Sequence, residues 1–148
     1  MLKKTQDSMI PKIESWFIFA LLAFIAWGFW GFFPKLALKY MDERSILVFE
    51  VVGAIVMGLI VFTSLGFKVQ AQPTGITFAI LSGLMGSIGG FFFLYALRKG
   101  NASVVVATTA LYPLVTILLT YFFLNESITI KQGIGIILAL IAMVLFVI

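Results

Sequence analysis

Residues 102–126 read ASVVVATTALYPLVTILLTYFFLNE, and the rest of the fold follows from this stretch. It is long enough to cross a bilayer, which takes about 20 apolar residues. It carries no charged side chain before Glu126, and Pro113 lies near its middle. Its polar residues share one side of a continuous helix by their spacing: Thr109, Tyr112, Thr116 and Thr120. The stretch is therefore predicted to be a membrane span with one polar face.

A polar face and a proline are costly inside a membrane unless they face protein or a water-filled cavity. We therefore predict that this span lines a pathway, with Thr109, Tyr112 and Thr116 as substrate-binding residues. Pro113 is predicted to act as a hinge, because proline removes a helical hydrogen bond and allows the helix to bend.

The composition is that of an integral membrane protein. Of the 148 residues, 62% are hydrophobic and the mean hydropathy is +1.17, whereas soluble domains average about 45–50% apolar residues. The chain has no cysteine and no histidine, so it lacks the commonest metal ligand and general base. We therefore expect no enzyme, no metal site and no cofactor. The basic residues lie in loops and form no basic face, which disfavours nucleic-acid binding.

The charged residues separate five apolar runs, so we predict an all-α integral membrane protein with five transmembrane helices. The first run is too long for a signal peptide and is expected to remain as a span. A polar N-terminal tail is predicted over residues 1–15, and a single membrane domain over residues 16–148. The predicted spans are about 16–37, 45–65, 74–97, 102–124 and 130–148.

Short sequence signals mark the ends of these helices. Asp42 and Thr129 are predicted N-caps, and Thr129 and Gln132 have the spacing of a capping box. Gly66 and Gly100 are predicted C-terminal stops, with Gly100 in a left-handed turn.

The loop charges give no preferred orientation in the membrane. An odd number of spans places the two termini on opposite sides, and Lys and Arg normally concentrate in the cytoplasmic loops. Here the basic residues divide equally, five on each side. Either a finer feature fixes one orientation, or copies insert in both orientations and pair as an antiparallel homodimer.

Glu50 is the acidic residue placed deepest in a predicted span. It lies about 7.5 Å beyond Ser45 along the helix axis and precedes a long run without charge. A carboxylate inside the membrane indicates function by default. We predict that Glu50 binds a cationic group or takes up a proton; the alternative is a structural pair with Lys35 or with a basic residue of a second copy. Glu126 is instead expected to stabilise the N-terminus of the fifth span.

Three aromatic residues are candidates for the substrate site. Trp27 and Trp30 share a helix face, and Trp27 lies about 16 Å inside the first span, away from the interface that tryptophan prefers. Tyr95 carries a hydroxyl that needs a partner when it is buried. We predict an aromatic wall for an apolar or cationic solute, with core packing as the alternative.

Two segments resemble a known transporter family. AWGFWGFFPKLA in the first span is similar to the opening of the EamA type of the drug/metabolite transporter (DMT) superfamily. ALYPLVTILLTYFFLNESITIKQGIGIILALIAMVLF resembles the second half of that domain more closely. The resemblance covers the chain from Trp16 onward. The residues that match the family pattern are Leu111, Pro113, Glu126, Ile128, Thr129, Gln132 and Gly135, with Gly133 as the alternative to Gly135.

The resemblance implies a multi-pass transporter of the cell membrane that moves small metabolites by alternating access. Most members carry two inverted five-span units in one chain, and this sequence holds one such half-size unit. The ten-helix inverted-repeat fold then requires a second, inverted copy. Many members carry arginine where Glu50 stands, and a carboxylate there favours cationic or proton-coupled substrates. The expected partners are membrane lipid, a small-molecule substrate and a second copy of the chain.

Two other functions stay open at this point. One is a non-transporting accessory subunit whose polar stripe binds another helix bundle. The other is efflux of aromatic cations of the small-multidrug type, although the first span lacks that family's acidic residue.

Reporter fusions at the C-terminus test the equal division of charge. We expect the reporter on both sides of the membrane in one cell population, because neither orientation is favoured. A fluorescent fusion active only in the cytoplasm and a phosphatase fusion active only outside it measure the two fractions. A reporter confined to one side in all cells would exclude an antiparallel pair of identical chains.

Overall fold

The computed structural model describes residues 15–147, with the side chains of residues 16–146. The polar tail predicted over residues 1–15 lies outside the described residues apart from Ser15, and so does residue 148. The described part of the chain is helical and contains no strand. Its helices are α1 (Ser15–Ala37), α2 (Glu43–Ser64), α3 (Pro73–Lys99), α4 (Ala102–Thr109), α5 (Tyr112–Leu124) and α6 (Ile130–Val147).

The described chain is that of a multi-pass integral membrane protein. α6 is shorter than the other apolar segments: its 18 residues extend about 27 Å, just under the roughly 30 Å of a hydrocarbon core. A fifth crossing therefore stays a prediction. Four segments are long and apolar enough to cross a membrane, namely Trp16–Ala37, Glu43–Ser64, Pro73–Lys99 and Ala102–Leu124.

The chain divides into two compact units, one that ends at Phe33 and one that begins at Pro34. The first unit contains most of α1, an apolar helix on which the rings of Phe29 and Phe33 stack with their centroids 6.0 Å apart. The second unit contains the last turn of α1 and the helices from α2 to α6.

Within the second unit, α2 packs on α3, α3 on α4, and α4 on α6. The core lies where α2 begins and α3 ends. Ile46 is 4% exposed, Phe93 is 6% exposed, and Leu94 and Leu97 are fully buried. Most other apolar side chains along these helices are exposed, as expected for surfaces that lipid or a second membrane protein covers.

Both predicted N-caps are confirmed. The Asp42 carboxylate accepts hydrogen bonds from the main-chain N–H groups of Arg44 and Ser45 at 2.9 and 3.0 Å. The Ser45 hydroxyl also donates to this carboxylate, and that bond holds the pKa of Asp42 below its ordinary value. At α6, the Gln132 side chain accepts from the Thr129 N–H at 2.8 Å, and the Thr129 hydroxyl oxygen accepts from the Gln132 N–H at 3.3 Å. This reciprocal pair is the predicted capping box.

Gly66 ends α2 as predicted. Its φ of +60° is left-handed, and its N–H donates to the Thr63 carbonyl at 2.9 Å. The Phe67 N–H donates to the Phe62 carbonyl at 3.1 Å, and the rings of these two phenylalanines lie 5.2 Å apart, edge to face. This pattern of two bonds and one apolar contact is the Schellman motif, which satisfies carbonyls at a helix end.

The left-handed conformation predicted for Gly100 is wrong. Its φ of −109° and ψ of 169° are extended backbone that any residue adopts. Glycine is needed here for space, because a Cβ would lie 2.8 Å from Val105 Cγ2 and 3.1 Å from the Ala96 carbonyl oxygen. The missing side chain lets α4 begin close against the end of α3.

The fourth predicted span is not one continuous helix. A turn at residues 110–111 separates α4 from α5. Pro113 lies in the first turn of α5, where its missing N–H costs no hydrogen bond. In a continuous helix its ring would clash with the Thr109 carbonyl, four residues back. Thr109 therefore belongs to α4 and the other polar residues of the stripe to α5, so the stripe does not follow one continuous helix as predicted.

We expect Gly100→Ala to lower the melting temperature of the purified protein. The added Cβ overlaps Val105 and the main chain, and overpacking of this kind costs about 1–3 kcal/mol. Thermal unfolding in detergent measures the effect, with Gly53→Ala as the control because nothing lies within 4 Å of its added Cβ. Val105→Ala in the Gly100→Ala background should restore part of the loss. A melting temperature for Gly100→Ala no lower than that of the control would contradict the steric explanation.

Candidate functional site

A lysine from α1 caps the end of α3. The Lys35 ammonium donates to the carbonyl oxygens of Leu97 at 2.6 Å and Gly100 at 3.2 Å. Carbonyls at a helix C-terminus have no partner within the helix and carry the negative end of its dipole. The half-buried Lys35 therefore supplies both hydrogen bonds and positive charge where α3 needs them.

An ion pair joins the beginning of α2 to the end of α3. Arg98 Nε lies 2.6 Å from Glu43 Oε1, and Arg98 Nη2 donates to the Met41 carbonyl at 3.2 Å. The Arg98 side chain is 41% exposed, so solvent screens this pair and it adds little to stability. Its main consequence is that Arg98 and Glu43 neutralise each other.

Glu50 lies two turns further along α2, about 10 Å from Glu43 on the same helix face. Its side chain is half-buried against α3, where a Cβ on Gly90 would lie 3.9 Å from Glu50 Oε2. Within residues 15–147, its carboxylate forms no hydrogen bond and no ion pair. The pair with Lys35 that the sequence left open is absent from the structure, because Lys35 is bonded to main-chain carbonyls.

The electrostatic consequence is a carboxylate without a countercharge inside a span. An unpaired charge in a low-dielectric environment is costly unless a proton, a cation or an opposite charge compensates it. Lys35 and Arg98, the basic residues bonded at this end of the second unit, are both engaged elsewhere. A compensating group for Glu50 must therefore come from outside residues 15–147.

The three aromatic candidates lie in different units. Trp27 and Trp30 are on the part of α1 in the first unit and are 62% and 46% exposed. Tyr95 is on α3 in the second unit and is half-buried, with its ring centroid 4.9 Å from that of Phe91. Their roles in substrate binding stay predictions.

Two of the four hydroxyls in the polar stripe form hydrogen bonds within their own helices; the stripe consists of Thr109, Tyr112, Thr116 and Thr120. The hydroxyls of Thr109 and Thr120 donate to main-chain carbonyls of their own helices at 2.8 and 3.1 Å. Hydroxyls bonded in this way do not require a water-filled cavity. Tyr112 and Thr116 are exposed, and their hydroxyls have no partner in the described part of the chain. These two hydroxyls are therefore the ones in the stripe that are available to bond to a ligand or to a second protein surface.

A cleft of about 410 Å³ lies along α5 and α6 and is mostly apolar. Its lining includes the predicted hinge residue Pro113 and none of the predicted substrate-binding residues. Sequence reasoning missed this cleft, although the residues that carry the family resemblance signal it. The lining includes Leu111, Pro113, Glu126, Ile128, Gln132 and Gly135.

Comparison with known proteins decides the family. Residues 14–148 match the model of the EamA-like transporter family. The chain belongs to this family. It is 33% identical over 128 residues to the uncharacterized protein MJ1333.1 of Methanocaldococcus jannaschii. The aligned residues cover 86% of this chain and 93% of that protein. No solved structure matches the chain. The resemblance inferred from the sequence is thus confirmed, and the EamA-like chain corresponds to a single half-size unit.

We expect Lys35→Met to lower the melting temperature of this EamA-like protein. Methionine fills a similar volume but leaves the two carbonyls at the end of α3 without their donor, at a cost of about 1–3 kcal/mol. Lys39→Met is the matched control, because the exposed Lys39 ammonium forms no hydrogen bond in the described part of the chain. Equal melting temperatures for the two variants would show that Lys35 does not cap α3.

Proposed function

We propose that this EamA-like protein transports small cationic metabolites across the cell membrane, with Glu50 as the carboxylate that binds the cation or a proton. The observation that carries the proposal is the carboxylate itself, half-buried in a span and without a countercharge among residues 15–147. Two basic residues at the same end, Lys35 and Arg98, are bonded to other partners, and no ion pair with Glu50 forms within residues 15–147. A carboxylate in this position is stabilised by whichever cation reaches it.

We further propose alternating access by an antiparallel homodimer of five-span chains, in which α6 makes the fifth crossing. The equal division of basic residues supports insertion in both orientations. The exposed apolar surface of the spans supports contact with a second copy. In each of the four spans, at most 11% of the most apolar 18 residues are buried. An inverted second copy would complete a ten-helix transporter with the substrate between the two copies of the chain. In this proposal Trp27, Trp30, Tyr95, Thr109, Tyr112 and Thr116 bind substrate and Pro113 is a hinge.

A non-transporting accessory subunit is the second candidate. It is favoured by the hydroxyls of Thr109 and Thr120, which bond to their own helices and so suit a face packed against another protein. This candidate predicts a stable complex with a different membrane protein and no substrate flux.

The function is tested with purified protein in proteoliposomes, by uptake of radiolabelled 1,4-diaminobutane across a pH series. We expect Glu50→Gln to reduce uptake roughly tenfold or more and to remove its pH dependence, because the amide cannot hold a charge or a proton. Glu126→Gln is the control, since Glu126 is exposed in the loop after α5. Its uptake is expected to stay within about twofold of the unmodified protein.

Of the charged groups at this end of α2 and α3, Lys35, Asp42, Glu43 and Arg98 are bonded to other partners. The side chains of Lys39, Arg44 and Lys99 form no ion pair with Glu50 in the described part of the chain. Unchanged uptake by Glu50→Gln across the pH series would remove Glu50 from the mechanism. Absence of flux in the unmodified protein, together with a stable complex with a different protein, would favour the accessory subunit.

A further inference from the structure

Gly90 differs from the other glycines of α3 that lie within the membrane. It is buried, and it faces the Glu50 carboxylate on α2. Gly83, Gly86 and Gly89 lie on the same helix, but a Cβ added at any of them meets nothing within 4 Å. Gly90 is therefore the glycine of α3 that lies next to the unpaired Glu50 carboxylate.

Without a side chain, Gly90 presents its main chain to the Glu50 carboxylate. A Cβ there would lie 3.9 Å from Glu50 Oε2 and 3.9 Å from Leu47 Cδ1, which is ordinary contact on both sides. An ammonium group that binds the carboxylate lies at a charge-assisted hydrogen-bond distance of about 2.8 Å. On the side of the carboxylate that faces Gly90, a Cβ would overlap such a group. Glycine also lets a ligand approach the main chain closely.

We propose that Gly90 is a specificity-determining residue that makes the Glu50 site selective for primary ammonium groups. This inference rests on the proposed function and names its substrate class. A primary ammonium presents three N–H donors, so it can bond to the carboxylate while it occupies the space at Gly90. A quaternary ammonium has no N–H donor, so it cannot form this hydrogen bond. Primary amines are therefore selected by hydrogen bonding to Glu50.

Gly90→Ala tests the inference without disturbing the fold. The added methyl group meets its neighbours at 3.9 Å, so no atom must move to accommodate it. Alanine also has a higher helix propensity than glycine, by about 1 kcal/mol. Loss of function in this variant therefore reports a filled site. Gly89→Ala is the matched control, because it makes the same change at the next residue, where the added Cβ meets open space.

The first measurement is concentration-dependent uptake in proteoliposomes, with 1,4-diaminobutane as the primary amine and choline as the quaternary one. We expect the unmodified protein to prefer the diamine. Gly90→Ala should raise its KM roughly tenfold with kcat changed less than about twofold, since it removes a binding contact. Gly89→Ala should resemble the unmodified protein, and neither variant should melt at a lower temperature. An equal KM in the two variants, or a preference for choline, would overturn the inference.

The second measurement separates this inference from the transport function. A hydrophobic carbodiimide activates carboxyl groups in membrane proteins, and the activated group rearranges to an N-acylurea or reacts with the amine to give an amide. Mass spectrometry therefore quantifies the fraction of Glu50 that stays unmodified. We expect 1,4-diaminobutane to protect Glu50 from modification in the unmodified protein and in Gly89→Ala, and not in Gly90→Ala. Protection without any uptake would support the ammonium site and reject transport. Uptake with equal protection in both variants would support transport and reject the role of Gly90.

Discussion

The carbonyl groups at the end of α3 determine how the second unit of this EamA-like protein is held together. Carbonyls at a helix end have no partner within the helix, so other groups must satisfy them. The Lys35 ammonium supplies two hydrogen bonds from α1, and the absence of a side chain at Gly100 lets α4 begin beside the same helix end. Leu94 and Leu97, near the end of α3, are fully buried. One helix end therefore fixes its neighbours at one end of the unit, while the apolar faces elsewhere stay exposed.

The same contacts explain why Glu50 has no partner. Lys35 is committed to main-chain carbonyls, and Arg98 is committed to Glu43 at the beginning of α2. Two of the positive charges at this end of the unit are thus used to hold the helix ends together. The bonded groups Lys35, Glu43 and Arg98 lie at the end of the unit and stabilise the fold. The unpaired Glu50 carboxylate lies about 10 Å further along α2. This division is why Glu50, rather than Glu43, carries the proposed function.

Local signals in the sequence predicted much of the fold, because they act over a few residues. Asp42, Gly66 and the Thr129–Gln132 pair end or begin helices as their types and spacings predict. Features that depend on packing were harder to predict. Gly100 marks the end of α3 in either case, but the sequence does not distinguish a glycine needed for positive φ from one needed for space.

The candidate site shows the same limit. The position of Glu50 within a span followed from the spacing of charges along the chain. Its lack of a countercharge did not, because that depends on Lys35 bonding to carbonyls more than 60 residues away in the sequence. Likewise, Pro113 indicated a weak point in the fourth span, whereas the turn at residues 110–111 that divides the stripe appears only in the fold. Contacts between distant segments are set by the packing of whole helices, which short patterns do not encode.

The residues that establish the family and the residue that suggests the substrate lie in different places. Pro113, Glu126 and Gln132 belong to the family pattern and line the cleft along α5 and α6, whereas Glu50 is not among the lining residues. A pattern that shapes the packing of two helices serves carriers of many substrates and therefore specifies none of them. Glu50 is an acidic side chain inside a span, and a carboxylate there attracts the opposite charge. The proposed substrate class therefore rests on Glu50 and not on the residues of the family pattern.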